Sequence, residues 1–264
     1  MRPGLVLLGW TAALALTAAG AIPVDLAQAE RVRGGNLVMS LSGGIAPLRL
    51  PRHRAAPAAA ALASRVTTND RTPVPKLRRI EVAFGAGASI SSAGLPICPR
   101  ARLLNATRTE ALRRCGGALV GLGRLPLEVR FPGQPPLRRA PRMLVFNGRG
   151  PGGGTVLWIH TFVARPPVSF VLAFHVHRSV RSFATVLAAS VPASIASWIR
   201  IRGFDVTLHR RYRWHGRARS YLSASCPVPL PFTAGFFSFA RTTYRFAGDR
   251  RLTNAIVRSC RVKP

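Results

Sequence analysis

The stretch RYRWHGRARSYLSASCPVP, Arg211 to Pro229, gathers side chains with recognition chemistry into one short span. Arg211, Arg213, Arg217 and Arg219 interleave with Tyr212, Trp214 and His215, and His215-Gly216 supplies a turn between two limbs. Guanidinium forks clamp phosphates or carboxylates in bidentate fashion, and aromatic rings can stack on sugars. The four arginines are therefore the candidate anion-binding residues, and Tyr212 and Trp214 the candidate stacking residues. Strand alternation offers a competing assignment, in which Tyr212 and Trp214 share one face and belong to a core while Arg213 points out. The direction of the two rings decides between them.

Other chemistries leave weaker traces. His175 and His177 lie two apart, so on a strand they point the same way, and His160 on a neighbouring strand could approach them. Three converging imidazoles would suit Zn²⁺ or Cu²⁺. No Asp or Glu stands near them in sequence to orient a ring, so no metal site is assigned. Acids after residue 29 are confined to Glu30, Asp70, Glu81, Glu110, Glu128, Asp205 and Asp249. Glycoside hydrolysis normally needs two carboxylates flanking the bond. Glu81, Glu128 and Asp205 are the ones that could meet across a sheet, yet a single acid on an arginine-rich strand more often serves as an ion-pair partner. Gly87-Ala88-Ser89-Ile90-Ser91 lacks the closing glycine of a nucleophile elbow. Gly150 to Gly154 is glycine-rich without a following Lys-Ser/Thr, hence a loop and not a phosphate cradle. No cofactor is implied, and no motif for specific nucleic-acid recognition is present.

The N-terminus reads as an export signal. Arg2 precedes an apolar stretch from Leu5 to Ile22, and Ala27-Gln28-Ala29 offers the small-x-small pattern of a cleavage site. Cleavage after Ala29 is expected, with a cut after Ala21 as the alternative; a retained anchor is the competing outcome, since the run is close to the spanning minimum. Residues 1–29 are thus read as a signal peptide and residues 30–264 as a single β-rich domain, with residues 30–76 as its most weakly packed part; within them Ile45 to Lys76 is rich in Pro, Ala and Arg. No second apolar run long enough to span a bilayer follows.

The formal net charge is +31, carried almost entirely by arginine because Lys76 and Lys263 are the only lysines. Losing residues 1–29 removes one base, Arg2, and one acid, Asp25, and leaves that charge unchanged. Attraction to polyanions at low salt follows directly. Outside the cell the partners expected are anionic envelope polymers, acidic glycans or acidic lipid head groups, not DNA.

Four cysteines, Cys98, Cys115, Cys226 and Cys260, form an even set in an exported chain and read as two disulfides. Three connectivities are possible; Cys98–Cys115 and Cys226–Cys260 are favoured because each closes a local loop. With every thiol in a bridge, cysteine catalysis has no nucleophile. Thr107-x-x-Glu110 is a capping box that opens one short helix, and Cys115-Gly116-Gly117 stops it. Elsewhere the pattern is β: RIEVAF (Arg79–Phe84), the apolar run Val156–Val163, and a strand on which Phe170, Leu172, Phe174 and Val176 share one face against Val171, Ala173, His175 and His177. Further strands are expected at 184–190, 199–209, 220–226, 236–246 and 252–261. Short strands at this spacing predict an antiparallel β-sandwich or barrel-like domain.

GLPICP (Gly94–Pro99), EALRRCGGALVGLG (Glu110–Gly123), MLVFNG (Met143–Gly148), the Arg211–Pro229 stretch, SFARTTYRFAGDRRL (Ser238–Leu252) and VRSC (Val257–Cys260) together carry a resemblance. In them the chain resembles an uncharacterised family of secreted, four-cysteine, β-rich proteins from high-GC actinobacteria. The resemblance implies export, one continuous domain and structural cysteines; it carries no assigned activity and transfers no functional residue. The function expected is that of an exported, non-enzymatic envelope or extracellular protein whose basic surface associates with anionic polymers or glycans. The alternative is a secreted glycan- or ester-acting hydrolase with a non-contiguous carboxylate site.

Overall fold

The computed structural model describes residues 30–179 and 182–263; the expected signal segment, residues 1–29, lies outside the described residues. Strands follow in the order β1 (Glu30–Gly34), β2 (Leu37–Ala46), β3 (Arg49–Leu50), β4 (Ala56–Thr68), β5 (Leu77–Phe84), β6 (Ala88–Ile90), β7 (Leu119–Arg124), β8 (Leu127–Val129), β9 (Leu137–Arg139), β10 (Arg142–Arg149), β11 (Thr155–Ala164), β12 (Pro167–Arg178), β13 (Thr185–Ser190), β14 (Ile199–Ile201), β15 (Gly203–Leu208), β16 (Arg211–Trp214), β17 (Arg217–Ser220), β18 (Leu222–Ala224), β19 (Ala234–Phe246) and β20 (Arg251–Val262). The helices are α1 (Arg108–Cys115) and the single turn α2 (Ala193–Ala196).

Most strands belong to one sheet in the order β1-β2-β4-β15-β7-β10-β11-β12-β13-β5-β19-β20-β3, with β18 and β6 branching from β4. Every pairing in it is antiparallel except β20 with β3. The sheet curls until its ends meet: Asn254 Nδ2 donates to Glu30 O (2.9 Å) and Arg258 Nε donates to Gly43 O (2.5 Å). A barrel-like wall results, of the mainly β kind the sequence predicts. Inward residues alternate along each strand: Leu37, Met39 and Leu41; Ile80, Val82 and Phe84; Leu157 and Ile159; Phe204 and Leu208 all join one core. A cavity of about 70 Å³ remains among them, walled by apolar side chains such as Leu62, Val145 and Leu187.

Strand β11 is buried on both faces, because α1 and the loop before it cover the outside of β10 to β12. The capping box forms as expected: Glu110 N donates to Thr107 Oγ1 (3.3 Å) and Thr107 N donates to Glu110 Oε2 (2.8 Å). The Cys98–Cys115 disulfide closes this layer. Cys98 N donates to Asn147 O (2.9 Å) and Trp158 Nε1 donates to Cys98 O (3.0 Å), fastening it to the barrel wall. The helix stop differs from the expectation. Gly116 has φ −56° and leads into a 3₁₀ turn, so no left-handed glycine cap is used. The second disulfide, Cys226–Cys260, pins the segment after β18 to β20, as the local-loop argument favours.

Within residues 30–76, β2 and the 13-residue β4 pair with each other over ten positions and bury Leu37, Met39, Leu41 and Leu62, while 47–49, 53–55 and 69–73 are exposed. One expectation needs correction. The expected strand 199–209 is two strands in different sheets. Gly203, at φ +150° and with Ser64 O 2.0 Å from where a Cβ would stand, lets the chain leave the small sheet and enter the wall.

Candidate functional site

The hairpin Arg211–Ser220 stands as a separate two-stranded ribbon. Its tip is a two-residue turn with both His215 (φ 49°) and Gly216 (φ 71°) left-handed, the type I′ geometry that suits strand twist. Directly opposed residues share a face, and the register pairs Tyr212 with Arg219 and Trp214 with Arg217, against Arg211 with Ser220 and Arg213 with Ala218. The four arginines are therefore split between two faces. On the aromatic face, Tyr212 Oη donates to Ala93 O (2.8 Å), and the Trp214 indole lies so close to Gly94 that a Cβ there would fall 2.3 Å from it. Both rings fasten the ribbon to the loop at Ala93–Gly94, although Trp214 keeps 40% of its surface exposed.

The histidines do not converge. His160 pairs across to Val171, four residues from His175 along β12, which separates them by about 13 Å at strand rise. His160 sits under α1 with Nε2 2.9 Å from Ala106 O, and burial holds its pKa below the usual range. His175 and His177 stack beside each other farther along the strand. The acids are also apart: Asp205 and Glu81 point outward from β15 and β5, six steps apart in the sheet order, and Glu81 lies 4.0 Å from Arg241.

Glu128 marks the site that sequence reading missed. Strands β14, β8 and β9 form a small sheet of their own. One face, Leu127, Val129, Ile199 and Ile201, is buried against the core. On the other, register places Arg200 and Arg138 directly opposite Glu128, one on each side, and Arg130 follows two residues along. Glu128 is buried and lies 3.3 Å from Arg130 and 4.0 Å from Arg138. Arg200 Nη1 donates to Ala196 O (2.7 Å), and its pKa is lowered by burial and then by Arg130, against the pull of Glu128.

Two recesses flank this face. A groove of about 840 Å³ runs between Arg130, Arg200, the loop Pro132–Pro135 and the stacked rings of Phe131 and Trp198 (centroids 6.5 Å apart). A second, of about 500 Å³, is lined by Thr67, Thr68, Arg71, Arg130, Arg138 and Arg202, with Glu128 at its wall. Arg130, Arg138 and Arg200 thus surround one carboxylate, and Arg71 and Arg202 line the recess beside it. That excess of positive charge suits an anion with several phosphate or carboxylate groups, and the paired rings suit a sugar beside it. The signal was present in Glu128-Val129-Arg130-Phe131 and Trp198-Ile199-Arg200-Ile201-Arg202, alternating patterns that put like residues on one face. Their pairing was not readable.

The chain matches no protein-family model, no curated protein and no solved structure.

Proposed function

We propose that this chain is an exported, non-enzymatic protein of the cell envelope or extracellular space that holds anionic polymers on the arginine-lined face around Glu128. The observation that carries the reading is the register of the small sheet, which sets Arg138 and Arg200 on either side of Glu128 with Arg130 beside them. Glu128 pairs with Arg130 and lies near Arg138, and the surplus positive charge remains for a ligand. The groove beside Phe131 and Trp198 adds an aromatic wall of the kind that packs on a sugar face. The +31 charge draws polyanions to the surface. Two disulfides match the oxidising compartments outside the cytosol.

The test is titration of the full chain with a polyglycerol-phosphate polymer and with a carboxylated glycan across a salt series. Arg138, Arg200 and Arg202 are changed together to Gln, and Arg130 is kept so that Glu128 retains a partner. The parent chain is expected to bind at about 50 mM salt and to lose affinity steeply by about 200 mM. The triple variant should bind at least tenfold more weakly, with a log K against log salt slope shallower by about two to three. Absence of binding by the parent chain at low salt, or an unchanged affinity and slope in the variant, would overturn the reading.

A further inference from the structure

A second feature lies on another face. Phe236 exposes 83% of its surface, Leu230 77% and Phe232 62%, and all three fall within seven residues of chain. Val257, also exposed, lies diagonal to Phe236 across the β19–β20 ladder, because Phe236 faces Ser259 and Ser238 faces Val257. Exposed Leu48 lies at the other edge of β20, its carbonyl accepting from Arg261 N (2.9 Å). Side chains this exposed stand out from the domain.

The loop that carries them is fastened. The Arg52 guanidinium donates to Val228 O and, at 2.8 Å, to Phe232 O. Val262 N donates to Thr233 O (2.7 Å), and the Cys226–Cys260 disulfide closes the base. These ties keep the apolar residues displayed outward. Beside them a recess of about 730 Å³ is lined by Arg49, Arg52, Arg54 and Lys263.

We propose that this face docks on a bilayer containing acidic lipids. Leu230, Phe232 and Phe236 enter the boundary between head groups and acyl chains, and Arg49, Arg54 and Lys263 meet the lipid phosphates. Apolar projections beside a cluster of cations are what such a surface selects. A protein partner would have to supply a complementary pocket for residues that protrude, whereas a bilayer accepts any convex apolar tip. The cluster of positive charge argues against a second copy of the same face, which would bring like charges together. The docking is independent of the arginine face at Glu128, and the chain binds the surface without crossing it.

The test is co-sedimentation of the full chain with vesicles of phosphatidylcholine alone or with a quarter phosphatidylglycerol, at low and high salt. The parent chain is expected on the acidic vesicles. The variant Leu230→Ser/Phe232→Ser/Phe236→Ser, altered only at exposed positions, should partition about tenfold more weakly while binding polyglycerol phosphate as the parent does. Arg49→Gln/Arg54→Gln/Lys263→Gln should weaken vesicle binding and leave Phe232 projecting. Phe232→Trp should lose fluorescence to brominated acyl chains, which places that position inside the boundary. Equal vesicle binding by the triple-serine variant, an unquenched Trp, or a parent dimer that the triple-serine variant dissolves would each overturn the proposal. The polymer titration separates this failure from that of the face at Glu128.

Discussion

Trp214 illustrates how one side chain's surroundings settle its role. Its neighbours by sequence are arginine and histidine, but its indole rests on Gly94, where φ is +79° and any larger residue would collide. The ring is a fastening that keeps an exposed edge. His160 is the opposite case, a polar residue buried without a charge partner. Ala106 O can only accept, so Nε2 carries the proton, and Nδ1 is left buried with no hydrogen-bond partner. Acid would add a proton at Nδ1 where nothing accepts it, and burial accordingly lowers the pKa. A folded-state pKa below the unfolded value, about 6.5, contributes stability that is present above that value and lost as pH falls below it. Urea midpoints should therefore decline between pH 7 and pH 5. His160→Gln, which keeps a donor to Ala106 O, should flatten that decline; an unchanged slope would assign it to other groups.

The layer built on α1 is held at both ends by different means. At its start, hydrogen bonds from Thr107 satisfy Glu110 and hold its carboxyl below the usual carboxylate range. At its end the Cys98–Cys115 bridge stops the chain from swinging away. Thr107→Ala removes the side-chain half of the capping box and should cost about 1 kcal/mol. Urea unfolding checks it: the midpoint should fall with the slope unchanged, because the disulfide keeps the layer in place. The small sheet β14-β8-β9 has no such bridge. Its position comes from Leu127, Val129, Ile199 and Ile201 packing into the main core, which turns the face bearing Glu128, Arg138 and Arg200 away from that core.

Across the whole molecule, charge is the dominant quantity. Among the described residues five ion pairs lie within 4.0 Å, and +31 net charges remain over the chain. Self-repulsion of this size opposes the compact state, and salt screens it over a Debye length of about 10 Å at 0.1 M. The thermal midpoint should therefore rise as sodium chloride is raised from about 10 to 300 mM, the reverse of a fold held by surface ion pairs. Polyglycerol phosphate at low salt should raise it further, since a ligand that binds only the folded state stabilises it. A midpoint that falls with salt would show that attraction outweighs repulsion.

The sequence by itself determined the β class, the capped helix and the two disulfides, because each depends on local pattern: alternation with period two, Thr107 three residues before Glu110, and cysteines close along the chain. It also located the hairpin turn at His215-Gly216, where left-handed backbone is required. The arginines were visible, but which of them share a face was not. That depends on the registers of β8 with β14 and β9, and of β16 with β17, and a register is set by which apolar face finds the core. Tertiary structure alone therefore moved the candidate anion site from the conspicuous hairpin Arg211–Arg219 to the quieter sheet around Glu128. There Glu128 pairs with Arg130 and lies beside Arg138 and opposite Arg200 on a single face, whereas the hairpin divides its own four arginines between two.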